Sequence, residues 1–352
     1  MAITRRAKFS IAALTLLIVA AGALGYFAAF PEKAPAIVQR TLSTVGLVEA
    51  PLPPPPSCPL TGLPAPHGRV PERPALAVKI ENYPDARPQA GLQSADIVYE
   101  EPVEGGITRF ITIYQCHDVG RVGPVRSDRT ADPDVLAQFG VPVLAYSGGA
   151  PNVDRALEDA DLVALDETTG AKAFERDASR AAPHNLYAGT ELLYRVAGSQ
   201  EPAPAPVFTY ADEVQGRSRK ATSVHLPFSS TYADVWWTWN RKVGAWLRAH
   251  GQEPHLAEEG GPVSAANVLV QVVDVVVGPR GGITPHLELT GSGKAYLFRD
   301  GRMIVGRWER PKLGDVTRFL TKTGQGFALA PGRTWVELFP GDLKVETNSG
   351  RG

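Results

Sequence analysis

The densest concentration of reactive side chains in this sequence lies between Ala95 and Arg129. Glu100, Glu101 and Glu104 stand there close to Arg109, Arg121, Arg126 and Arg129. The charges are interleaved with apolar runs, Ile97–Tyr99 and Phe110–Tyr114, that read as buried strands. Ions beside buried strands are costly unless they are paired or used. The stretch is therefore either a structural ion network or the wall of a polar site. Glu100 and Glu104 are the candidate catalytic carboxylates. In an extended segment they point to one side, because side chains alternate along a strand. Two carboxylates on one surface suit the acid and base of glycoside hydrolysis. In the opposing reading Arg109 and Arg126 simply neutralise them.

Downstream, Gly123-Pro124-Val125-Arg126-Ser127-Asp128-Arg129 is a loop with two guanidinium forks. Such forks bind carboxylate or phosphate in a bidentate way. If Asp132 caps a helix, that helix adds backbone donors for an anion. Internal pairing of these arginines with Asp96 or Glu104 is the competing reading. Pro183-His184-Asn185-Leu186-Tyr187 offers His184 as a proton carrier and Asn185 as its orienting amide, against a buried turn in which both satisfy backbone groups. The candidate ligand-binding residues are Arg87, Arg109, Arg126, Ser127, Arg129, Asn185 and Tyr187; the candidate catalytic residues are Glu100, Glu104 and His184. No G-x-S-x-G, H-E-x-x-H or phosphate-loop motif occurs. Gly291–Lys294 reads as a hairpin turn. The seven histidines show no metal spacing, His250 and His255 included, so neither a metal nor a cofactor is expected.

The elements that must position these groups change character along the chain. Ala75–Ile80, Ile97–Tyr99, Thr108–Tyr114 and Val143–Tyr146 read as strands. Asp132–Phe139, Asn152–Leu157 and Thr190–Val196 read as helices. This is a mixed αβ domain over 58–199. Gln200–Pro206 reads as a linker. Residues 207–340 then give strand after strand with no long helical period, a smaller, mostly antiparallel β domain, and 341–352 read as a flexible tail. Asp300-Gly301 is a strong hairpin signal within it. Trp236, Trp237 and Trp239 alternate across one strand, with core packing as the default and a sugar-stacking surface as the alternative. The fold class is thus α+β or mixed α/β, preceded by one transmembrane helix.

That helix is expected within residues 1–30. Arg5, Arg6 and Lys8 precede an uncharged, largely apolar run from Phe9 to Phe30, and about 20 such residues span a bilayer. Positive charge on the near side keeps the N-terminus in the cytoplasm and sends the body across the membrane. A cleaved signal peptide ending near Ala21-Gly22-Ala23 is the rival, but the run continues through Phe30. Residues 31–57 form a Pro-rich stalk. The formal net charge of -1 gives no basic excess for nucleic acid. The two cysteines, Cys58 and Cys116, can form a disulfide in an oxidising compartment; two unpaired thiols are the other reading.

Taken together, CPLTGLP (Cys58–Pro64), RPALAVKIEN (Arg73–Asn82), DARPQAGL (Asp85–Leu92), ADIVYE (Ala95–Glu100), EGGITRF (Glu104–Phe110), GPVRSDR (Gly123–Arg129) and APHNLY (Ala182–Tyr187) form a recognisable set. With NVLVQ (Asn267–Gln271), LTGSGKAYLFRDG (Leu289–Gly301) and PGRTWVEL (Pro331–Leu338) it resembles the YerB-like proteins, a bacterial family of unknown function. The resemblance covers about Cys58 to Pro340. It implies an N-terminal mixed domain, a smaller β-rich C-terminal domain, and secreted, lipid-anchored members. It implies no catalytic residue. The chain departs from the family in lacking a lipobox cysteine at the end of its apolar run, which favours the helix anchor.

The expected function is that of an envelope protein tethered in the cell membrane, its body outside the cytoplasm. It would bind an anionic envelope ligand such as a cell-wall polymer, or an envelope protein partner. The alternative is an envelope glycan hydrolase using Glu100 and Glu104.

Overall fold

The computed structural model describes residues 55–149, 151–229, 232–277 and 285–346, with isolated positions between 26 and 38. The expected anchor and stalk lie almost wholly outside the described residues. Among the described residues no helix is long and apolar enough to cross a membrane.

The apolar runs of the first half form β1 (Leu76–Glu81), β2 (Ile97–Pro102) and β3 (Thr108–Tyr114). Helix α1 (Ala131–Leu136) leads to β4 (Val143–Ala145), and α2 (Pro151–Glu158) to β5 (Val163–Leu165). The hairpin strands β6 (Phe174–Arg176) and β7 (Leu186–Ala188) precede α3 (Thr190–Ala197). The second half supplies β8 (Ser223–Pro227), β9 (Asp234–Asn240), β10 (Ala245–His250), β11 (Asn267–Val272) and β12 (Gly291–Arg299). It ends with β13 (Arg302–Arg310), β14 (Arg318–Thr321), β15 (Thr334–Phe339) and β16 (Lys344–Glu346).

Strands from both halves interleave in one sheet, ordered β14-β13-β12-β11-β15-β2-β3-β1-β4-β5. The seam is β15, which runs parallel to β11 on one side and to β2 on the other. Residues 56–352 accordingly form one compact unit. A second sheet, built on β8, β9, β10 and β16, covers one face. Leu76, Val78, Ile80, Val98 and Phe110 pack there with Trp237 and Trp246. On the other face Ala77, Ile97, Tyr99, Ile111 and Ile113 pack with Val135, Leu136 and Phe139. Both faces being covered, these strands read as continuous apolar runs rather than alternating ones. Trp335 on β15 binds the layers together: its ring meets Phe110 and Trp237, each at 5.2 Å between centroids. Such edge-on pairs add ~0.5–1.5 kcal/mol each beyond burial.

Three expectations need correcting. Gly291–Lys294 is not a turn but the start of β12, and Gly293 is there because the Trp308 indole packs where a Cβ would sit. The hairpin turn expected at Asp300-Gly301 is present, both residues at positive φ. Asp132 lies inside α1 rather than capping it. In the stretch read as a tail, Lys344–Glu346 is a strand paired with β8. Cys58 and Cys116 are joined by a disulfide, with their Cα atoms 6.0 Å apart.

Candidate functional site

The strands β1, β4 and β5 run parallel, so their carboxyl ends share one edge. Crevices at such ends are where open α/β sheets bind ligands. Glu81 is the last residue of β1. The loop after Gly123 runs back along that strand end: Arg126 N–H donates to the Lys79 carbonyl at 2.9 Å, and Ser147 N–H, just after β4, donates to the Arg126 carbonyl at 3.0 Å. Backbone bonds on both sides thus fix Arg126 in place.

Around it the side chains form a half-exposed ring. Glu81, almost fully buried, accepts Arg126 Nε through Oε1 at 3.3 Å and faces His184 Nδ1 through Oε2 at 2.8 Å. The His184 ring stacks on Tyr83, with centroids 5.9 Å apart. Next to it, Asn185 Oδ1 accepts Arg176 Nη1 at 2.9 Å, and Arg176 Nη2 donates to Glu167 at 2.6 Å. The other Glu167 oxygen accepts the Ser147 hydroxyl at 2.8 Å, and the Ser127 hydroxyl donates to the Ser147 carbonyl at 3.0 Å. A depression lined by Tyr146, Gly148, Leu157 and Asp166 adjoins these strand ends.

Among the described residues, the two terminal nitrogens of Arg126 meet no hydrogen-bond partner, and the side chain is 28% exposed. A guanidinium held at Nε with its fork outward is the arrangement that takes a planar anion in a bidentate way.

The other sequence candidates are distributed differently. Arg129 closes on Glu104, its Nε and Nη2 donating to one oxygen at 2.8 and 2.7 Å. Arg109 donates to the Ser127 carbonyl at 3.1 Å. Burial and the neighbouring Arg129 charge lower the Arg109 pKa to about 10. Arg87 spends its donors on Asn82 and on the Tyr232 carbonyl, which ties the two halves of the chain together. Tyr187 is buried, bonded to Arg180 through its hydroxyl and covered by the Arg121 guanidinium at 3.4 Å from the ring centroid. Asp132 sits in the core beside Glu101, both bonded to Lys79, and accepts the Arg129 N–H at 2.8 Å. The anion at that short helix start is therefore the chain's own carboxylate. Burial pushes Glu101 up to about 7, against the pull of Lys79.

Glu100 and Glu104 are not brought together as a pair. β2 ends at Pro102 and Glu104 opens a single turn of 3-10 helix, so strand alternation does not carry across. Glu100 is wholly buried between the sheets, where Arg248 Nη2 reaches both its oxygens at 2.7 Å. Arg248 Nη1 also donates to His255 Nδ1 at 2.7 Å and His250 Nε2 at 2.9 Å. Burial, then the Arg248 charge, holds both imidazoles neutral far below their ordinary range. Among the described residues no group of histidine, cysteine and carboxylates could hold a metal ion. Glu337, beside Glu100 in the ladder, is pushed well above the usual carboxylate range, by burial first and the Glu100 charge second.

Glu81, Glu167, Arg176 and Ser147 do not emerge as candidates from sequence. Glu81 ends an apolar run, and its partner His184 is distant in the chain. The available signal was the acidic residue closing ALAVKIE, at the carboxyl end of a strand.

An interleaved αβ body with a polar site at its strand ends is the class the fold defines. The fold is shared with a solved relative. Residues 60–203 match the family described as "Protein of unknown function (DUF3048) N-terminal domain". Residues 224–336 match the corresponding C-terminal domain. The chain is 29% identical over 303 residues to the protein named "Putative lipoprotein YerB" of Bacillus subtilis (strain 168), covering 84% of this chain and 89% of that one. It superposes on the crystal structure of the Bacillus subtilis YerB protein with a TM-score of 0.73 and 26% identity, over 83% of this chain and 100% of that one. The chain belongs to the YerB-like family.

Proposed function

We propose that this is an envelope protein tethered to the membrane by its N-terminal apolar run, its body outside the cytoplasm, and that it binds an anionic cell-wall polymer at Arg126. The observation that carries the binding is the open fork of Arg126, clamped by backbone bonds at the carboxyl ends of β1 and β4. Glu81 aims that fork without closing it. The disulfide fits an oxidising compartment, and the lipoprotein name of the relative fits a tether. The hydrolase reading finds no support in the carboxylate geometry, since Glu100 is closed by Arg248 and Glu104 by Arg129.

Calorimetric titration of the full chain with soluble muropeptides and with poly(glycerol phosphate), against neutral dextran, tests the site. Saturable binding of either anion and none of dextran is expected, with Arg126→Ala abolishing it. Equal binding by the variant overturns the assignment. Alkaline phosphatase fused after Gly352 tests the tether: the fusion is expected to be active in a bacterial host, and an inactive fusion rules out this topology.

A further inference from the structure

A second site lies at the far edge of the main sheet and shares no residue with the first. β13 is paired along its whole length with β12. On its other edge the cover is broken. Arg219–Lys220 pair with Met303 and Arg302, and β14 pairs with residues 306–309. Ile304 and Val305 have no strand partner on that side. Because residues of an antiparallel strand bond alternately to its two neighbours, one of them turns its N–H and C=O into the gap.

A cavity of about 430 Å³ opens at this gap, within the range of small-ligand sites. Val305 lines it with apolar surface over the buried Met303, and Arg217, Arg219, Thr321 and Lys322 stand around it. Arg217, Arg219 and Lys322 are exposed, as is the adjacent Lys220. Among the described residues none of these four cations is in an ion pair. In a chain of net charge -1 this is a local concentration of positive charge rather than a general basicity. The loop is held to the strand by Arg302, whose Nε donates to the Ser218 hydroxyl at 2.8 Å.

We propose that this cavity binds an anionic amphiphile, a phosphate-headed molecule with an apolar tail. The unpaired cations would take the head group, and Val305, backed by the buried Met303, the first part of the tail. A bare anion would leave the apolar wall wet, and a neutral tail would leave the cations unused.

The test is a calorimetric titration of the full chain, held in phosphatidylcholine nanodiscs, with octyl phosphate, inorganic phosphate and octanol, blanked on empty discs. Octyl phosphate is expected to bind at one saturable site, with inorganic phosphate and octanol each weaker by at least about tenfold. The triple change R217S/R219S/K322S alters exposed side chains only, and is expected to melt like the parent and weaken octyl phosphate by at least about tenfold. Replacing part of the disc lipid with phosphatidylglycerol separates two sources of the ligand: competition with octyl phosphate identifies a membrane lipid, and unchanged affinity a free amphiphile. Absence of saturable binding overturns the proposal. So does inorganic phosphate binding as tightly as octyl phosphate, or unchanged binding by the triple variant.

Discussion

Two arginines show how burial decides what a charge does. Arg248 and Glu100 are both fully buried and locked face to face. Arg248→Ala would strand Glu100 in the core and is expected to cost on the order of 3–5 kcal/mol. Arg126 is part-exposed, and its partner Glu81 keeps His184 when the guanidinium is removed. Arg126→Ala is therefore expected to cost only about 0–1 kcal/mol. Urea denaturation of the two variants checks this contrast. A loss above roughly 3 kcal/mol for Arg126→Ala would make that residue a structural tie rather than an open fork. The arginine loop was legible in sequence, because charged residues beside apolar runs must be paired or used. Which arginine meets which acid was not legible. Arg126 and Arg129 lie in an irregular loop with no period, and the loop alone sends one to Glu81 and the other to Glu104. Nor does the sequence single out Arg248, whose partner is 148 positions away.

At the scale of elements, the seam between β2 and β15 stacks Glu100 beside Glu337 in parallel register. Two carboxylates side by side in a dry layer cannot both ionise. Arg248 closes on both Glu100 oxygens, while Glu337, which accepts the Trp237 indole N–H at 2.6 Å, is pushed towards its protonated form by burial and then by Glu100. A carboxyl whose pKa is raised by folding contributes stability that is complete below its unfolded pKa and is lost as pH rises. Glu337→Gln keeps the neutral shape and removes that loss. The variant is expected to match the parent below about pH 4 and to exceed it increasingly from there towards pH 8, by up to ~1.4 kcal/mol per pH unit. Urea midpoints measured across that range check it, and a difference independent of pH would mean that Glu337 is ionised in the fold. The strands themselves were legible: Thr108–Tyr114 and Thr334–Phe339 stand where their apolar runs predict. Their pairing was not. A strand buried on both faces carries no alternation to say which neighbour it takes, so nothing local announces that β15 inserts between β11 and β2. Gly291–Lys294 misleads for a related reason, since glycine marks a turn unless a distant indole requires the space.

For the whole molecule, the interleaved sheet means that the two family segments share one core, and the disulfide pins that core's entry. Cys58 stands at the start of the compact unit and Cys116 just beyond β3, 58 positions further along the sequence. Cys58, Cys116, Ala65 and Val70 form a small apolar cluster apart from the two main cores. The segment from 56 to 70 is held by the bond, by this cluster, by Leu60, which reaches the main core, by the Gly332 N–H donating to the Thr61 carbonyl at 2.8 Å, and by Tyr210 packed on Gly62. Without the bond, the unfolded chain gains the freedom of a loop of that size, ~4 kcal/mol in the chain-entropy model. The double change C58S/C116S in residues 56–352 is thus expected to leave a cooperative fold whose melting temperature falls on the order of 10 °C. The parent fragment should show the same fall when reductant is added. Circular dichroism melts with and without reductant check both. If the double variant and the reduced parent melt where the oxidised parent does, the bond adds nothing to stability, and an oxidising compartment loses its physical motive for this protein.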